Sequence, residues 1–301
     1  MGFVVGVDVG GTAAKIAVFD EEGTMLGSSQ VRTRLEDGGK HILPDISREV
    51  RALLSGLGIG LDELLGVGVG VPGPVVDGRT AVRCVNLGWG ETDVAGFLEL
   101  ELGCRCRVGN DANVAALGEA WKGASRGTHS SVMITLGTGV GGGVIINDRI
   151  VTGFHGGAGE IGHSPIQPGV GRTCGCGNTH CLEILAAAPG VAASYLERTG
   201  RHLSCEEVFN AAKRGEPEAL AVVDQMQQLL GQACAFIASV VDPQVFVIGG
   251  GVSKAGSFLV DGIQKYYDYY VFPPIKGARI VLAELGNKAG VYGSARLVLS
   301  H

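Results

Sequence analysis

Apolar residues fall into short runs that alternate with segments of helical spacing. Residues 3–8 form a β-rich run that meets Gly10-Gly11-Thr12, and residues 16–19 form a second. Strand, glycine turn and strand predict a hairpin. Over 43–57, Ile46, Val50, Leu53, Leu54 and Leu57 recur at helical intervals. Residues 64–71 are another apolar run, stopped by Pro72-Gly73-Pro74. Arg107-Val108-Gly109 leads into Asn110-Asp111, and the alanines of 112–121 predict a helix with either Asn110 or Asp111 as its N-cap.

The opening pattern then returns. Residues 131–136, a glycine-rich turn at 137–143 and residues 144–146 make a second strand–glycine–strand unit, which suggests internal duplication. Residues 153–183 are loop-rich and crowded with Gly, His and Cys. Helical patterns resume at 184–198, 205–213 and 217–240. A strand at 245–248 runs into Gly249-Gly250-Gly251, and helix 255–270, strand 279–283 and helix 288–299 follow. A chain of 301 residues suits two domains. The expected division is a smaller α/β domain over 1–115, with the last helix, about 288–301, packing back on it. A larger α/β domain over 116–287 carries the Cys/His-rich loop.

Composition narrows the classes. Apolar residues at 46% and charged residues at 18% are ordinary for a globular protein. Glycine stands out at 51 residues, with no collagen period, so tight turns and close backbone approaches are expected. The net charge of −6 and the absence of a basic patch disfavour a nucleic-acid partner. No apolar run reaches the roughly 18–20 residues a membrane span needs. The first residues have no basic region and meet Asp8 early, so neither a signal peptide nor a membrane partner is expected. The location expected is the cytoplasm, where eight cysteines serve as ligands, thiols or core residues rather than disulfides.

Three glycine turns are candidate nucleotide contacts. Small residues let backbone N–H groups approach phosphate oxygens, and a hydroxyl adds a donor. Gly10, Gly11 and Thr12 supply this in the first turn, and Gly137, Thr138 and Gly139 in the second. Both turns join strand to strand and lack the GxxxxGK[ST] spacing, so neither is a P-loop or a Rossmann fingerprint. Gly250 and Gly251 belong to the third turn. An ATP needs such an arrangement, with two turns for phosphates and one for adenosine. Asp8, at the end of its strand, is suited to holding Mg²⁺ directly or through water.

Cys174, Cys176 and Cys181 lie within eight residues, and His163 stands eleven residues earlier. A Cys₃His set with no open position is a structural zinc site. His180 competes for the histidine place, although its adjacency to Cys181 makes shared ligation awkward. Cys104 and Cys106 form a second CxC with no further partner nearby and read as core or surface thiols. Glu160 and Glu183 bracket the cluster, and paired carboxylates accept hydrogen bonds from vicinal sugar hydroxyls. Asp111 is a candidate proton acceptor for an attacking hydroxyl, and Asn110 and Asn86 are amides able to serve hydroxyls.

Taken together these motifs resemble the ROK family of bacterial sugar kinases and repressors. The carriers are Asp8-Val9-Gly10-Gly11-Thr12, Val71-Pro72-Gly73-Pro74, Asn86-Leu87-Gly88-Trp89 and Gly109-Asn110-Asp111-Ala112-Asn113. They continue through the 136–143 turn, Gly157-Ala158-Gly159-Glu160-Ile161-Gly162-His163, the 174–183 segment and Gly249-Gly250-Gly251-Val252. They span nearly the whole chain in family order. Two positions depart from the pattern: His180 stands where glycine is common, and Ala13-Ala14-Lys15 where Lys commonly follows Thr.

The resemblance implies an actin-like (ribonuclease H-like) two-domain ATPase fold with a central cleft. It implies that Asp111 takes the proton of the sugar 6-hydroxyl. It also implies that Asn86, Asn110, Asp111, Glu160, His163 and Glu183 contact the sugar, His163 while also binding zinc. Homodimers or homotetramers are the family tendency. Among sugars, the zinc motif and the Glu160/His163/Glu183 set resemble the glucokinases, so the expected reaction is ATP-dependent phosphorylation of glucose. N-acetylmannosamine, N-acetylglucosamine, mannose and fructose kinases of the family are the alternatives. A sugar-responsive regulator is a further one, disfavoured because the family's repressors carry an extra N-terminal helix-turn-helix domain.

Overall fold

In the computed structural model residues 2–165 and 170–299 are described, and they divide into two compact units. The first comprises residues 1–127, 149–158 and 287–301, and the second 128–148 and 159–286.

The first unit is built on a five-stranded sheet of order β3-β2-β1-β4-β8. Its strands are β1 (Phe3–Val9), β2 (Ala13–Asp20), β3 (Met25–Arg32), β4 (Leu64–Val71) and β8 (Arg105–Asn110). Three strands, β1, β2 and β3, run antiparallel in sequence, whereas β4 and β8 join parallel to β1. Helices α1 (Ile42–Leu57) and α2 (Val94–Leu102) cover one core, which collects Val5, Val7, Ile16, Val18, Ile46, Val50, Leu54, Val67, Val69 and Leu98. A small antiparallel sheet of β5 (Val75–Val76), β6 (Thr80–Ala81) and β7 (Thr92–Asp93) borders it. Helix α3 (Asp111–Lys122) and the final helix α9 (Ala289–Leu299) pack on a second core of Val4, Ala17, Phe19, Val291, Ala295 and Val298.

The last helix thus returns to the first unit, and it sits very close. A β-carbon on Gly68 of β4 would overlap the Ser294 carbonyl, and one on Gly293 would overlap the Val114 carbonyl. These contacts explain part of the glycine content: the sheet and two helices approach at backbone distance. They also move the boundary. The expected division stopped at 115, but α3 packs along α9 and the first unit runs on to Gly127. Residues 149–158, with the short strand β11 (Arg149–Ile150), join it, so the loop-rich segment 153–183 is shared between the units.

In the second unit β9 (Ser131–Leu136), β10 (Val140–Ile146), β12 (Val245–Gly249) and β13 (Arg279–Leu282) lie in the order β10-β9-β12-β13. The β9–β10 pair is antiparallel, and β12 and β13 add parallel to β9. That is the order and sense of β2-β1-β4-β8, so the expected duplication is present in the topology. Helices α4 (Glu183–Ala186), α5 (Ala188–Thr199), α6 (Cys205–Lys213), α7 (Pro217–Val241) and α8 (Ser257–Tyr270) complete the unit. Tyr195, Leu230, Cys234, Phe246, Ile248, Leu259, Ile263 and Tyr267 are buried among them. The helix expected over 184–198 breaks at Ala187, whose extended backbone (φ −74°, ψ 158°) precedes Pro189 in the first turn of α5.

Several segments carry little pattern of their own. Strand β3 alternates half-buried and exposed positions with Gly, Ser and Gln between its few apolar residues, which is weak β signal on an edge. Helix α2 is apolar nearly all round, so it carries little amphipathic period. The small β5-β6-β7 sheet has strands of two residues, too short for periodicity to register.

Candidate functional site

The candidate residues divide between the units. Asp8, Gly10, Gly11, Thr12, Asn86, Asn110 and Asp111 lie in the first, and Gly137, Thr138, Gly139, Glu160, His163, Cys174, Cys176, Cys181, Glu183, Gly250 and Gly251 in the second.

In the first unit the β1–β2 turn is closed by a hydrogen bond from Gly10 N to the Ala13 carbonyl at 3.1 Å. Thr33 braces it twice: its hydroxyl donates to the Gly10 carbonyl at 2.6 Å, and its N–H donates to the Thr12 carbonyl at 3.0 Å. Gly11 and Thr12 are left exposed at the tip. Asp8 stands just before the turn, with the Lys15 ammonium 3.6 Å away. Burial holds the Asp8 carboxyl above the usual carboxylate range, and Lys15 pulls in the opposite direction. An inward-facing carboxylate beside a glycine turn is suited to a cation that accompanies phosphate.

Asn86 is exposed on the single 3₁₀ turn Val85–Leu87. Cys84 and Trp89 clasp that turn at its base by exchanging backbone bonds of 3.1 and 3.2 Å. The buried Trp89 indole donates to the Gly39 carbonyl at 3.2 Å. A side chain at Gly39 would overlap the Leu87 carbonyl. Asn86 is therefore held by a rigid base.

Asn110, not Asp111, caps α3. Its Oδ1 accepts from Ala112 N at 3.0 Å and Asn113 N at 3.2 Å, and its Nδ2 donates to the Gly73 carbonyl at 3.3 Å. Asp111 is the first helical residue and exposed, its Oδ1 accepting from Ala112 N at 2.8 Å. The helix N-terminus stabilises a carboxylate there. Asp111 also helps to raise the thiol of buried Cys84 to about 11, although burial contributes more. The cap assigned to either residue from sequence falls on the amide, and the carboxylate is presented on the exposed first turn.

In the second unit the corresponding turn is closed by Gly137 N donating to the Gly139 carbonyl at 3.0 Å. Gly250 approaches the backbone of Leu136 so closely that a β-carbon would overlap its carbonyl. A cavity of about 530 Å³ lies there, lined by Gly137, Thr138, Phe209, Lys213, Gly251 and Lys254 among others. It joins the second and third glycine turns. Its α6 residues carried no signal in the sequence beyond amphipathic spacing, and only their placement against the turns reveals them.

The Cys/His ligand atoms of His163, Cys174, Cys176 and Cys181 all lie within 4.8 Å of one another. Cys176 and Cys181 sulfurs are 3.5 Å apart, and Cys174 Sγ is 3.6 Å from His163 Nδ1. A tetrahedron with bonds of about 2.0–2.3 Å has edges of about 3.3–3.8 Å, so both pairs fit one zinc-like ion. His180 stands apart from this set, exposed with its ring 3.3 Å from the Thr179 hydroxyl. The second CxC is split, with Cys106 buried and Cys104 half-buried. The two ring nitrogens of His163 face different partners: Nδ1 faces Cys174, and Nε2 lies 3.9 Å from Glu160 Oε2. Glu160 is more than half exposed. Glu183 is engaged at both oxygens, accepting from Val140 N at 2.9 Å and from Cys174 Sγ at 3.4 Å.

The motifs and the duplicated topology agree with comparison to known proteins. Residues 4–301 match the ROK family, and the chain belongs to it. The fold is the family's, as the structural neighbours show. The chain superposes on a ROK hexokinase from Thermus thermophilus with a TM-score of 0.87 at 31% identity, covering 98% of this chain and 97% of that one. It is also similar to a ROK family glucokinase from Streptomyces griseus in complex with glucose and AMPPNP, with a TM-score of 0.75 at 32% identity over 98% and 99% of the two chains. A glucokinase of Halalkalibacterium halodurans is 41% identical over 98% of this chain and 94% of its own length. Among the described residues no helix is long and apolar enough to cross a membrane.

Proposed function

We propose that this chain is a cytoplasmic ATP-dependent hexose kinase that converts glucose to glucose 6-phosphate, a glycolytic step. The observation that carries the reading is the 41% identity to a glucokinase over nearly the full length of both chains. The site residues support it. Phosphoryl transfer asks the protein mainly for positioning and charge stabilisation. In the first unit, the Gly10–Thr12 turn receives phosphate and Asp8 helps place the accompanying Mg²⁺. Asp111 accepts the proton of the 6-hydroxyl as that oxygen attacks the γ-phosphate, while Asn86 and Asn110 serve sugar hydroxyls. In the second unit, the Gly137–Gly139 turn receives phosphate and the cavity beside Gly250 and Gly251 takes the adenosine. Glu160, His163 and Glu183 serve the sugar.

His163, Cys174, Cys176 and Cys181 would hold Zn²⁺. Four protein ligands leave no open position, so the ion holds the loop rather than entering the chemistry. The His163 Nε2 edge is then the one available to the sugar. The assembly is a homodimer or homotetramer with no nucleic-acid partner.

A coupled ADP-release assay over a panel of hexoses and N-acetylhexosamines tests the reading. Glucose is expected to give the highest kcat/KM. Preference for an N-acetylhexosamine or fructose would reassign the sugar, and no turnover with any sugar would defeat the kinase reading.

A further inference from the structure

Glu183 touches two features that the chain keeps far apart. Its Oε2 accepts the Val140 N–H at 2.9 Å, and Val140 is the residue that ends the Gly137-Thr138-Gly139 turn. Its Oε1 lies 3.4 Å from the thiol of Cys174, a member of the four-ligand cluster, and that bond ends when Cys174 ligates a metal as the thiolate. Glu183 is also only two residues beyond Cys181, another member, and Leu182 N is tied to the Ser164 carbonyl at 3.0 Å. The same chain segment grips the turn a second time, through Ala188 N donating to the Gly137 carbonyl at 2.8 Å.

The turn has one closing bond of its own, from Gly137 N to the Gly139 carbonyl. Glycine loses more backbone freedom on ordering than any other residue, and neither Gly137 nor Gly139 has a side chain to pack. A charge-assisted bond from a carboxylate to a backbone N–H is among the stronger restraints available. Space shows the same dependence: a β-carbon on Gly139 would stand 2.5 Å from Glu183 Oε2. An alanine at Gly139 would have to displace the Glu183 carboxylate.

We infer that Glu183 is a positioning residue for the nucleotide turn. Cys181, two residues before it, and the Leu182–Ser164 bond set where Glu183 stands, and Glu183 sets the backbone from Gly137 to Val140. Nucleotide affinity is thereby coupled to the metal loop through one side chain. The inference rests on reading that turn as a phosphate site.

The test measures ADP affinity by calorimetry without sugar, in wild type, Glu183→Gln, Glu183→Ala, Gly139→Ala and the Gly139→Ala/Glu183→Ala double variant. Glutamine keeps an acceptor oxygen for Val140 N–H, so Glu183→Gln should stay within about threefold of wild type. Glu183→Ala should weaken ADP by about tenfold, the loss expected for one charged hydrogen bond. Gly139→Ala should weaken it similarly by displacing the carboxylate, and the double variant should be no weaker than Glu183→Ala alone, because both act through one contact. Chelation should weaken ADP binding by wild type and add little in Glu183→Ala. Wild-type ADP affinity in Glu183→Ala, or losses that simply multiply in the double variant, would overturn the inference alone. Absence of ADP binding by the wild type would overturn the nucleotide reading, and the inference with it. The Gly139/Glu183 pair involves no metal removal, so it decides the matter even where chelation unfolds the protein.

Discussion

Asn110 carries two tasks that substitution can separate. Its Oδ1 caps α3 through bonds of 3.0 and 3.2 Å, and its Nδ2 donates to the Gly73 carbonyl, while the residue is also proposed to serve the sugar. Asn110→Ala removes both. Losing an N-cap costs about 1 kcal/mol and at most about 2. For a unit of this size each kcal/mol lowers the thermal midpoint by about 2–4 °C. The loss also frees the start of the helix on which Asp111 is the first residue, so kcat should fall together with stability. Asn110→Ser keeps a capping oxygen of nearly equal quality but has no amide and is too short for Gly73. It should melt within about 1 °C of wild type, retain most of kcat, and raise the glucose KM by about tenfold, the value of one or two hydrogen bonds to a hydroxyl. Differential scanning fluorimetry with steady-state kinetics on the two variants decides it. A stable Asn110→Ala would refute the cap, and an unchanged KM in Asn110→Ser would refute the sugar role.

Asp111→Ala should lower kcat by about 10²–10⁴-fold, the range for losing a positioned general base, with glucose binding still measurable by calorimetry. Near-normal turnover in that variant would remove Asp111 from the chemistry. Stripping the metal should raise the glucose Kd before the global melting temperature moves, because the cluster fixes His163 and the chain leading to Glu183. Unchanged sugar affinity in verified metal-free protein would confine the cluster to holding the fold. Asp45 gives the pH test. Arg34 donates to it at 2.6 and 2.8 Å and Arg48 at 2.9 Å, and these bonds hold its carboxyl below the usual range. A depressed native value means stability present above the unfolded value near 3.9 and lost as pH falls through the lower native one. Asp45→Asn should therefore melt below wild type at pH 7, by an amount equivalent to about 1 kcal/mol given the exposure of both arginines, and the gap should narrow as pH falls below the unfolded value. A gap that stays constant as the pH is lowered through the acid range would show that packing, not charge, is responsible.

Local pattern was enough for much of this protein. The glycine turns, the CxC–histidine cluster, the proline stop after β4 and the helical period of α1 are written in neighbouring residues, because turns, ligand spacing and amphipathic faces depend on short stretches of chain. The repeated strand–turn–strand motif likewise announced the duplication that the two sheets display. Short-range pattern failed where an element takes its stability from what covers it. Strand β3 is polar because it lies at a sheet edge, and α2 lacks a period because it is apolar nearly all round.

Only the tertiary structure decided the rest. Asn110 rather than Asp111 caps α3 because φ and ψ at the β8–α3 junction place the amide, and no spacing rule separates adjacent Asn and Asp. His163 rather than His180 joins the cluster because the 3₁₀ turn Ile161–His163 delivers its Nδ1 to Cys174. The α6 wall of the cavity and the grip of Glu183 on Val140 join residues more than forty positions apart. Their reason lies in distances between elements, which a one-dimensional pattern does not contain.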